Sequence, residues 1–369
     1  MSVLDELHMR AALELAQKGY GKTSPNPMVG ALLVKNNVVI GRGWHRKAGA
    51  AHAEIEAIRD ARRQDQMIKG ATLYVTLEPC CTDGRTPPCT EAIIESGIKK
   101  VVVGAVDPNP KHSGRAFRIM KKHGIEVRKG VLVDQANELN AAFCHWIKLG
   151  TPYITLKSAM TLDGKIATSS GESKWITGQL ARRKSLRLRA GSDAILVGVN
   201  TILEDNPSLL ARGKRGGVSL RRIILDTNAR TPLNSQVVSD GFGHDTLIVV
   251  SKEAPARKVS ALRKKVRIIQ APEKQGKIDI VWLMNLLGKE NVLSVLVEGG
   301  GEVSASFLGG GLVHEIAFFY APKILGGDDS RPAVAGLGVG RNGLFRSLKK
   351  VKWSKLGPDL LLTASICEA

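Results

Sequence analysis

His52-Ala53-Glu54, Glu78-Pro79-Cys80 and Pro87-Pro88-Cys89 set one imidazole, two thiols and a carboxylate close together in the chain. The residues around them say where they sit. Ala53, Ala57, Ile58 and Ala61 recur at helical spacing, so a helix over about Ala51 to Arg63 opens at the His-Ala-Glu triplet. The run from Ala71 to Leu77 reads as a strand that delivers Cys80, and Pro88 suits the first turn of a helix ending near Ser96 and Gly97. Both clusters therefore fall at helix starts, where the dipole favours thiolate. Structural zinc sites usually close the metal with four protein ligands, whereas here three good ligands and a carboxylate leave a position open. An open site is a catalytic one: bound zinc acidifies water, and Glu54 is placed to move its proton.

Around this core the first half alternates helix and strand. Val3 to Lys18 is an amphipathic helix, Val29 to Val34 and Val38 to Ile40 flank Asn36-Asn37 as a hairpin, and Val101 to Val106, Arg115 to Lys122 and Ile125 to Lys129 follow as strand, helix and strand. A last helix is expected from about Gln135 to Trp146. That alternation implies a three-layer α/β domain.

At 369 residues the chain exceeds what one core usually serves, so two domains are expected, at 1–147 and 148–369, with Leu149-Gly150-Thr151-Pro152 as the linker region. No apolar run approaches the length that spans a bilayer, and the charged, helical first twenty residues do not read as a signal peptide, so a cytoplasmic location is expected. Three of the five cysteines, Cys80, Cys81 and Cys89, crowd together, which in a chain of this size favours metal over a disulfide framework; Cys144 and Cys367 read as inert thiols. The net charge is +20, of which +6 belongs to the first 147 residues and +14 to the rest. Such an excess suits nucleic acid or phosphorylated small molecules, but with 4% aromatic residues the stacking platforms of a single-strand binder are missing. No nucleic-acid or membrane partner is expected.

Cys80 and Cys81 are adjacent, and spacing leaves open which of them binds metal. Cys80 is favoured because it follows Pro79, as in the zinc-deaminase signature H-x-E with P-C-x-x-C, although here eight residues rather than two separate the cysteines. A purely structural zinc, or a deaminase acting on nucleic-acid bases, remains open on these residues alone. Pro25-Asn26-Pro27-Met28-Val29-Gly30, His52-Ala53-Glu54, and Leu77-Glu78-Pro79-Cys80 through Gly84-Arg85-Thr86-Pro87-Pro88-Cys89 resemble the deaminase half of the bifunctional deaminase/reductase family of riboflavin biosynthesis. The resemblance implies a cytidine-deaminase-like α/β/α fold, zinc on His52, Cys80 and Cys89, Glu54 as proton shuttle, and Asn26 in the pyrimidine pocket. Where that family commonly has Ser-His after the first cysteine, this chain has Cys81-Thr82.

The second half is again α/β, with strands expected at Tyr153 to Lys157, Ala194 to Val197, Arg222 to Leu225, Thr246 to Val250, Val266 to Ile269, Leu293 to Val297 and Glu315 to Tyr320. Helices are expected near Gln179 to Arg189, Val259 to Lys264 and Asp279 to Leu287. Glu298-Gly299-Gly300-Gly301 follows a strand and precedes a short helix, Glu302 to Phe307, a place where glycines let backbone N–H groups approach an anion. Lys157, Arg189 and Arg212 are candidate clamps for a ribose phosphate. Ala159-Met160-Thr161-Leu162-Asp163-Gly164-Lys165, Gly171 through Thr177, Asp193 through Gly198 and Thr201 through Leu209 resemble the reductase half of the same family, which has a dihydrofolate-reductase-like α/β fold.

This second resemblance implies NADPH near Ala159, Trp175, Thr201, Asp205, Thr227 and the run Gly300, Gly301, Glu302, Val303, Ser304, Ala305 and Ser306. It implies substrate near Lys157, Ser173, Arg189, Leu209, Arg212 and Glu298. The activity implied is zinc-dependent deamination of a phosphoribosylaminopyrimidine followed by NADPH-dependent reduction of its ribose, in a homo-oligomer, dimer or tetramer.

Overall fold

The computed structural model describes residues 3–82, 87–211, 220–336 and 346–367. Packing divides the chain into two units, Met1–Gly150 and Thr151–Ala369. In the first, the elements run α1 (Val3–Gln17), β1 (Gly30–Lys35), β2 (Val38–Trp44), α2 (Ala53–Arg63), β3 (Thr72–Leu77), α3 (Cys89–Glu95), β4 (Lys100–Ala105), α4 (Arg115–Lys122), β5 (Glu126–Lys129), α5 (Val133–Leu139) and α6 (Ala141–Leu149). The sheet order is β2-β1-β3-β4-β5. β1 is antiparallel to both its neighbours, whereas β3, β4 and β5 are parallel. Val101, Val102 and Val103 are all fully buried, as a parallel strand covered on both faces requires. Met9, Ala12 and Ala136 of α1 and α5 cover one face, and Ala57, Ile58, Ile93, Phe117 and Met120 of α2, α3 and α4 cover the other. The expected three layers are present.

Two local features set the position of the site. A Cβ added at Gly43 of β2 would lie 2.1 Å from the Ala53 carbonyl oxygen and 2.4 Å from the Ala57 nitrogen, so glycine lets α2 rest directly on the hairpin. The second is a break in the helix expected over Gln135 to Trp146. It is two helices, because the buried Asn140 turns its side chain away to pair with Met28, accepting from its N–H (2.8 Å) and donating to its carbonyl (2.9 Å). Those bonds satisfy a buried amide and pin the loop that carries Asn26.

The second unit continues as β6 (Tyr153–Thr161), β7 (Lys165–Ala167), α7 (Gln179–Ala190), β8 (Ala194–Gly198), α8 (Val199–Asp205), β9 (Arg221–Leu225), α9 (Gln236–Ser239), β10 (Thr246–Ser251), α10 (Ala256–Arg263), β11 (Arg267–Ala271), β12 (Glu273–Lys274), β13 (Lys277–Ile278), α11 (Ile280–Lys289), β14 (Ser294–Val297), α12 (Gly301–Gly309), β15 (Glu315–Ala321), β16 (Arg331–Pro332), β17 (Leu348–Leu356) and β18 (Asp359–Ile366). Its main sheet has the order β11-β10-β9-β8-β14-β6-β15-β18-β17. The strands from β11 to β15 are parallel, and β18 and β17 close the edge as an antiparallel hairpin. All seven expected strands are present, but the β17–β18 hairpin was not expected. Leu348–Leu356 carries four lysines and is exposed along nearly its whole length, so no buried face imposes the alternation that marks a strand. Leu283, Met284, Leu287 and Phe307 of α11 and α12 pack on one side of the sheet, and Ile202, Val237, Val259 and Leu262 of α8, α9 and α10 on the other. Among the described residues no helix is long and apolar enough to cross a membrane.

Gly43→Ala tests the close approach of α2 to β2. The overpacked methyl should destabilise the first unit by about 1–3 kcal/mol, read as a lower midpoint in thermal or denaturant unfolding; an unchanged midpoint would contradict the contact.

Candidate active sites

His52 is the residue that precedes α2, with an extended backbone, and Cys89 opens α3. Cys80 stands in the loop between β3 and α3. His52 Nδ1 lies 3.3 Å from Cys89 Sγ and 3.4 Å from Cys80 Sγ, and the Cys89 N–H donates to Cys80 Sγ at 3.3 Å. The ligand atoms of these three residues all lie within 4.8 Å of one another. Cys81 points elsewhere: its thiol packs in the core of the first unit, 3.5 Å from His112 Nδ1. Geometry thus groups Cys80, not its neighbour, with His52 and Cys89.

The donor set fits zinc in charge as well as distance. Its hydrogen bond from the Cys89 thiol holds Cys80 down at about 4. Cys89 is pushed well above the ordinary thiol range by that same bond and by burial, and the hydrogen bond to Cys80 raises His52. Without metal, then, the pair of sulfurs keeps one proton between them. Glu54, only 3% exposed, is raised to about 7 by burial and then by the Cys80 charge. A carboxyl near neutrality beside three ligands can both accept and return a proton.

Two further residues support this site. His45 is buried, and burial holds it below the ordinary imidazole range. Its Nδ1 meets the Ala51 carbonyl at 3.1 Å, so the ring proton belongs on Nδ1 and Nε2 accepts from the Asn26 amide at 3.1 Å. The Asn26 carbonyl oxygen is then the end turned away from His45. Nothing in the spacing of a lone histidine after a strand marks this role. Glu78 was visible inside its motif, but its task was not: its buried carboxylate accepts from the N–H groups of Asp107 (3.2 Å), Gly114 (2.9 Å) and Ala116 (3.1 Å), bracing the Cys80 loop against the start of α4.

In the second unit a cleft of about 1750 Å³ gathers most of the residues singled out above. Lys157, Ala159, Ser173, Trp175, Arg189, Thr201, Asp205, Leu209, Thr227, Glu298, Gly300, Gly301, Glu302, Val303, Ala305 and Ser306 line it. Ser304 does not; it is buried, and its hydroxyl donates to the Gly300 carbonyl at 3.2 Å. Arg212 lies outside the described residues. Glu298 accepts from Arg189 through two nitrogens (2.8 and 2.9 Å) and from Lys157 Nζ (3.3 Å). Burial alone would raise this carboxyl, but Lys157 and Arg189 hold it at about 2. Ser173 donates to Asp205 at 3.1 Å, and Arg182 stacks 4.4 Å over Trp175. The three glycines of the run are not equivalent. A Cβ at Gly299 or Gly301 would strike Val303 or the Pro332 carbonyl oxygen, whereas Gly300 faces open space and is the one at which backbone can meet a ligand.

A zinc-binding deaminase joined to a reductase is the class these units define. The model of the cytidine and deoxycytidylate deaminase zinc-binding region matches residues 2–105, and that of the RibD C-terminal domain matches residues 152–362. The riboflavin biosynthesis protein RibD of Bacillus amyloliquefaciens is 40% identical, over 98% of this chain and 96% of that protein, and that of Escherichia coli is 38% identical over 97% and 98%. RibD of Acinetobacter baumannii is similar in structure with a TM-score of 0.85 at 36% identity, covering 99% of both chains. A diaminohydroxyphosphoribosylaminopyrimidine deaminase/5-amino-6-(5-phosphoribosylamino)uracil reductase from Thermotoga maritima gives 0.84, also at 36% identity and 99% of both chains. The chain belongs to the RibD family: it is a bifunctional deaminase and reductase of riboflavin biosynthesis, with a cytidine-deaminase-like first domain and a dihydrofolate-reductase-like second.

Zinc uptake must displace the proton kept by Cys89 and, at lower pH, that of His52. Both groups are raised, so acid favours their protonated forms and opposes the metal. Zinc affinity should fall as pH is lowered from 8 to 6, by roughly tenfold per pH unit for each proton displaced. Competition with a chelator at several pH values measures it, and a flat profile would contradict the shared proton.

Proposed function

We propose that domain 1–147 hydrolytically removes an amino group from 2,5-diamino-6-(5-phosphoribosylamino)pyrimidin-4(3H)-one. Domain 148–369 then reduces the ribosyl group of the product, 5-amino-6-(5-phosphoribosylamino)uracil, to ribityl with NADPH. The observation that carries the reading is the convergence of His52, Cys80 and Cys89 beside the buried Glu54. The activity printed for the Thermotoga maritima relative supports the choice of substrates.

In the first domain His52, Cys80 and Cys89 hold zinc, which supplies the Lewis acidity that makes water a nucleophile at neutral pH. Glu54 takes a proton of the attacking water and gives it to the departing amino group, while the second proton of that water ends on the adjacent ring nitrogen, so that ammonia leaves and a carbonyl beside a ring N–H remains. Burial, the largest cause that raises Glu54, favours its holding a proton between the two transfers. Asn26 accepts a hydrogen bond from the pyrimidine through its carbonyl oxygen, because His45 holds the amide nitrogen at the other end.

In the second domain the protein's task is positioning. Lys157, Ser173, Arg189, Leu209, Arg212 and Glu298 hold the substrate. Ala159, Trp175, Thr201, Asp205, Thr227 and the cleft-lining residues of the segment from Gly300 to Ser306, the buried Ser304 excepted, hold NADPH. Glu298 fixes the two cations beside it, and the Arg189 fork keeps that geometry rigid. The working form is a cytoplasmic homo-oligomer, dimer or tetramer.

Glu54→Gln should lower ammonia release by roughly a hundredfold or more while zinc stays bound, measured by metal analysis of the purified protein. The same variant should still oxidise NADPH when given the deaminated substrate; loss of that reaction would refute two independent sites. Lys157→Ala is the converse case. It should impair reduction and spare ammonia release, and equal loss of both would count against the assignment of Lys157.

A further inference from the structure

Among the described residues Arg222 of β9 is the one lysine or arginine that is buried, and it does not line the reductase cleft. Its guanidinium donates to both carboxylate oxygens of Asp240 (2.6 and 3.1 Å) and to the carbonyls of Ser208 (2.9 Å), Val237 (3.2 Å) and Phe242 (2.7 Å). Its Nε–H meets no acceptor among the described residues. A buried ion pair stabilises a core no better than well-packed apolar side chains of the same volume, and a buried donor left unmet adds a further cost. What such a charge can contribute is one conformation held against others. Three of its partners, Val237, Asp240 and Phe242, belong to α9 and the turn after it, whereas Ser208 belongs to the loop that follows α8. Arg222 therefore ties that loop to α9 from within the core.

The loop has a conformation that must be imposed. Asn206 has φ of 40° and Leu209 φ of 53°, left-handed values that non-glycine residues adopt only when their surroundings require it. At Asn206 the contacts come from Gln236, whose backbone N–H donates to the Asn206 side-chain oxygen (2.8 Å) and whose side-chain amide donates to the Asn206 carbonyl (2.7 Å). At Leu209 the contact comes from Arg222, because the Ser208 carbonyl lies in the peptide plane from which φ of Leu209 is measured. Leu209 is buried and lines the cleft. Asp205, at the other end of the loop, closes α8 and is held by that helix. Movement of the Ser208–Leu209 peptide would therefore displace one cleft residue and spare the other.

We propose that Arg222, paired with Asp240, is a positioning residue of the reductase: from the core it holds the Ser208–Leu209 peptide so that Leu209 keeps its place against the pyrimidine substrate. The proposal rests on the reading of Leu209 as a substrate contact given above. Its test is steady-state kinetics of the full-length protein, supplied with the deaminated substrate and NADPH, for Arg222→Lys, Asp240→Asn and Leu209→Ala. A lysine cannot reach the carboxylate and three carbonyls at once, so Arg222→Lys should raise KM for the pyrimidine at least about tenfold, the scale of a misplaced contact, with KM for NADPH unchanged. Asp240→Asn is isosteric and still accepts from the guanidinium, so it folds where Arg222→Lys does not; it should shift the same KM by less, a few-fold. A merely structural role would reduce the folded fraction, lowering apparent kcat at unchanged KM. That result, or an equal rise in both KM values, would overturn the proposal in either variant. Leu209→Ala separates the two readings. Raised pyrimidine KM in Leu209→Ala with none in the other variants overturns the role of Arg222 alone, whereas unchanged KM in Leu209→Ala overturns the substrate contact beneath it.

Discussion

Three ligand atoms from His52, Cys80 and Cys89 must stay within 4.8 Å of one another, and the first unit is arranged around that constraint. No single element could satisfy it. His52 comes from the start of α2, Cys89 from the start of α3, and Cys80 from the loop before α3. Each is held by a different device: glycine at position 43 lets α2 lie on β2, the Glu78 carboxylate ties the Cys80 loop to α4, and the Cys89 N–H bonds the Cys80 sulfur directly. Two thiols brought this close cannot both ionise without a cation, which is why they divide one proton so unequally. The same closeness that sets the two thiols against each other makes the donor set receptive to a divalent ion.

Beside the metal ligands, His45 and Asn26 are joined as neutral groups instead. Burial holds His45 below the ordinary imidazole range, and its Nδ1 is committed to a backbone carbonyl. That commitment determines which way the Asn26 amide faces, and Asn140 anchors the Asn26 loop through Met28. Orientation therefore passes from a helix break to a loop and from the loop to one side-chain carbonyl. A protonated His45 would offer Asn26 a donor and reverse the amide.

The metal ligands and Glu54 were legible because their spacing is local: His-x-Glu at a helix start and two Pro-Cys elements speak for themselves within short windows. The central strands of both sheets were legible for a related reason, since their burial on both faces leaves continuous apolar runs such as Val101-Val102-Val103. What escaped is tertiary. His45 matters through a bond to Asn26, Asn140 through a bond to Met28, and β17 exists because β18 pairs with it and not because of its own exposed, lysine-rich pattern. The glycine run after β14 was read as one anion-binding feature, whereas packing against Val303 and Pro332 explains two of its members and leaves Gly300 for the ligand.

Two glutamates with buried side chains, proposed above for proton transfer and for substrate positioning, are tuned in opposite directions. Glu54 is raised to about 7 first by burial and then by the Cys80 charge, against a smaller lowering by His52. Glu298 is no better hydrated, with a side chain 7% exposed, yet Lys157 and Arg189 hold it at about 2. A carboxyl near neutrality can pass a proton in either direction during a turnover, which is what hydrolysis of an amine requires. A carboxylate that never protonates at working pH cannot do so, but it keeps two cations in place, and reduction needs its substrate held still more than it needs a titrating base. Burial is common to both residues, so it does not decide between these roles. The sign of the neighbouring charge does, and in each domain that sign is set by residues on separate elements of the fold.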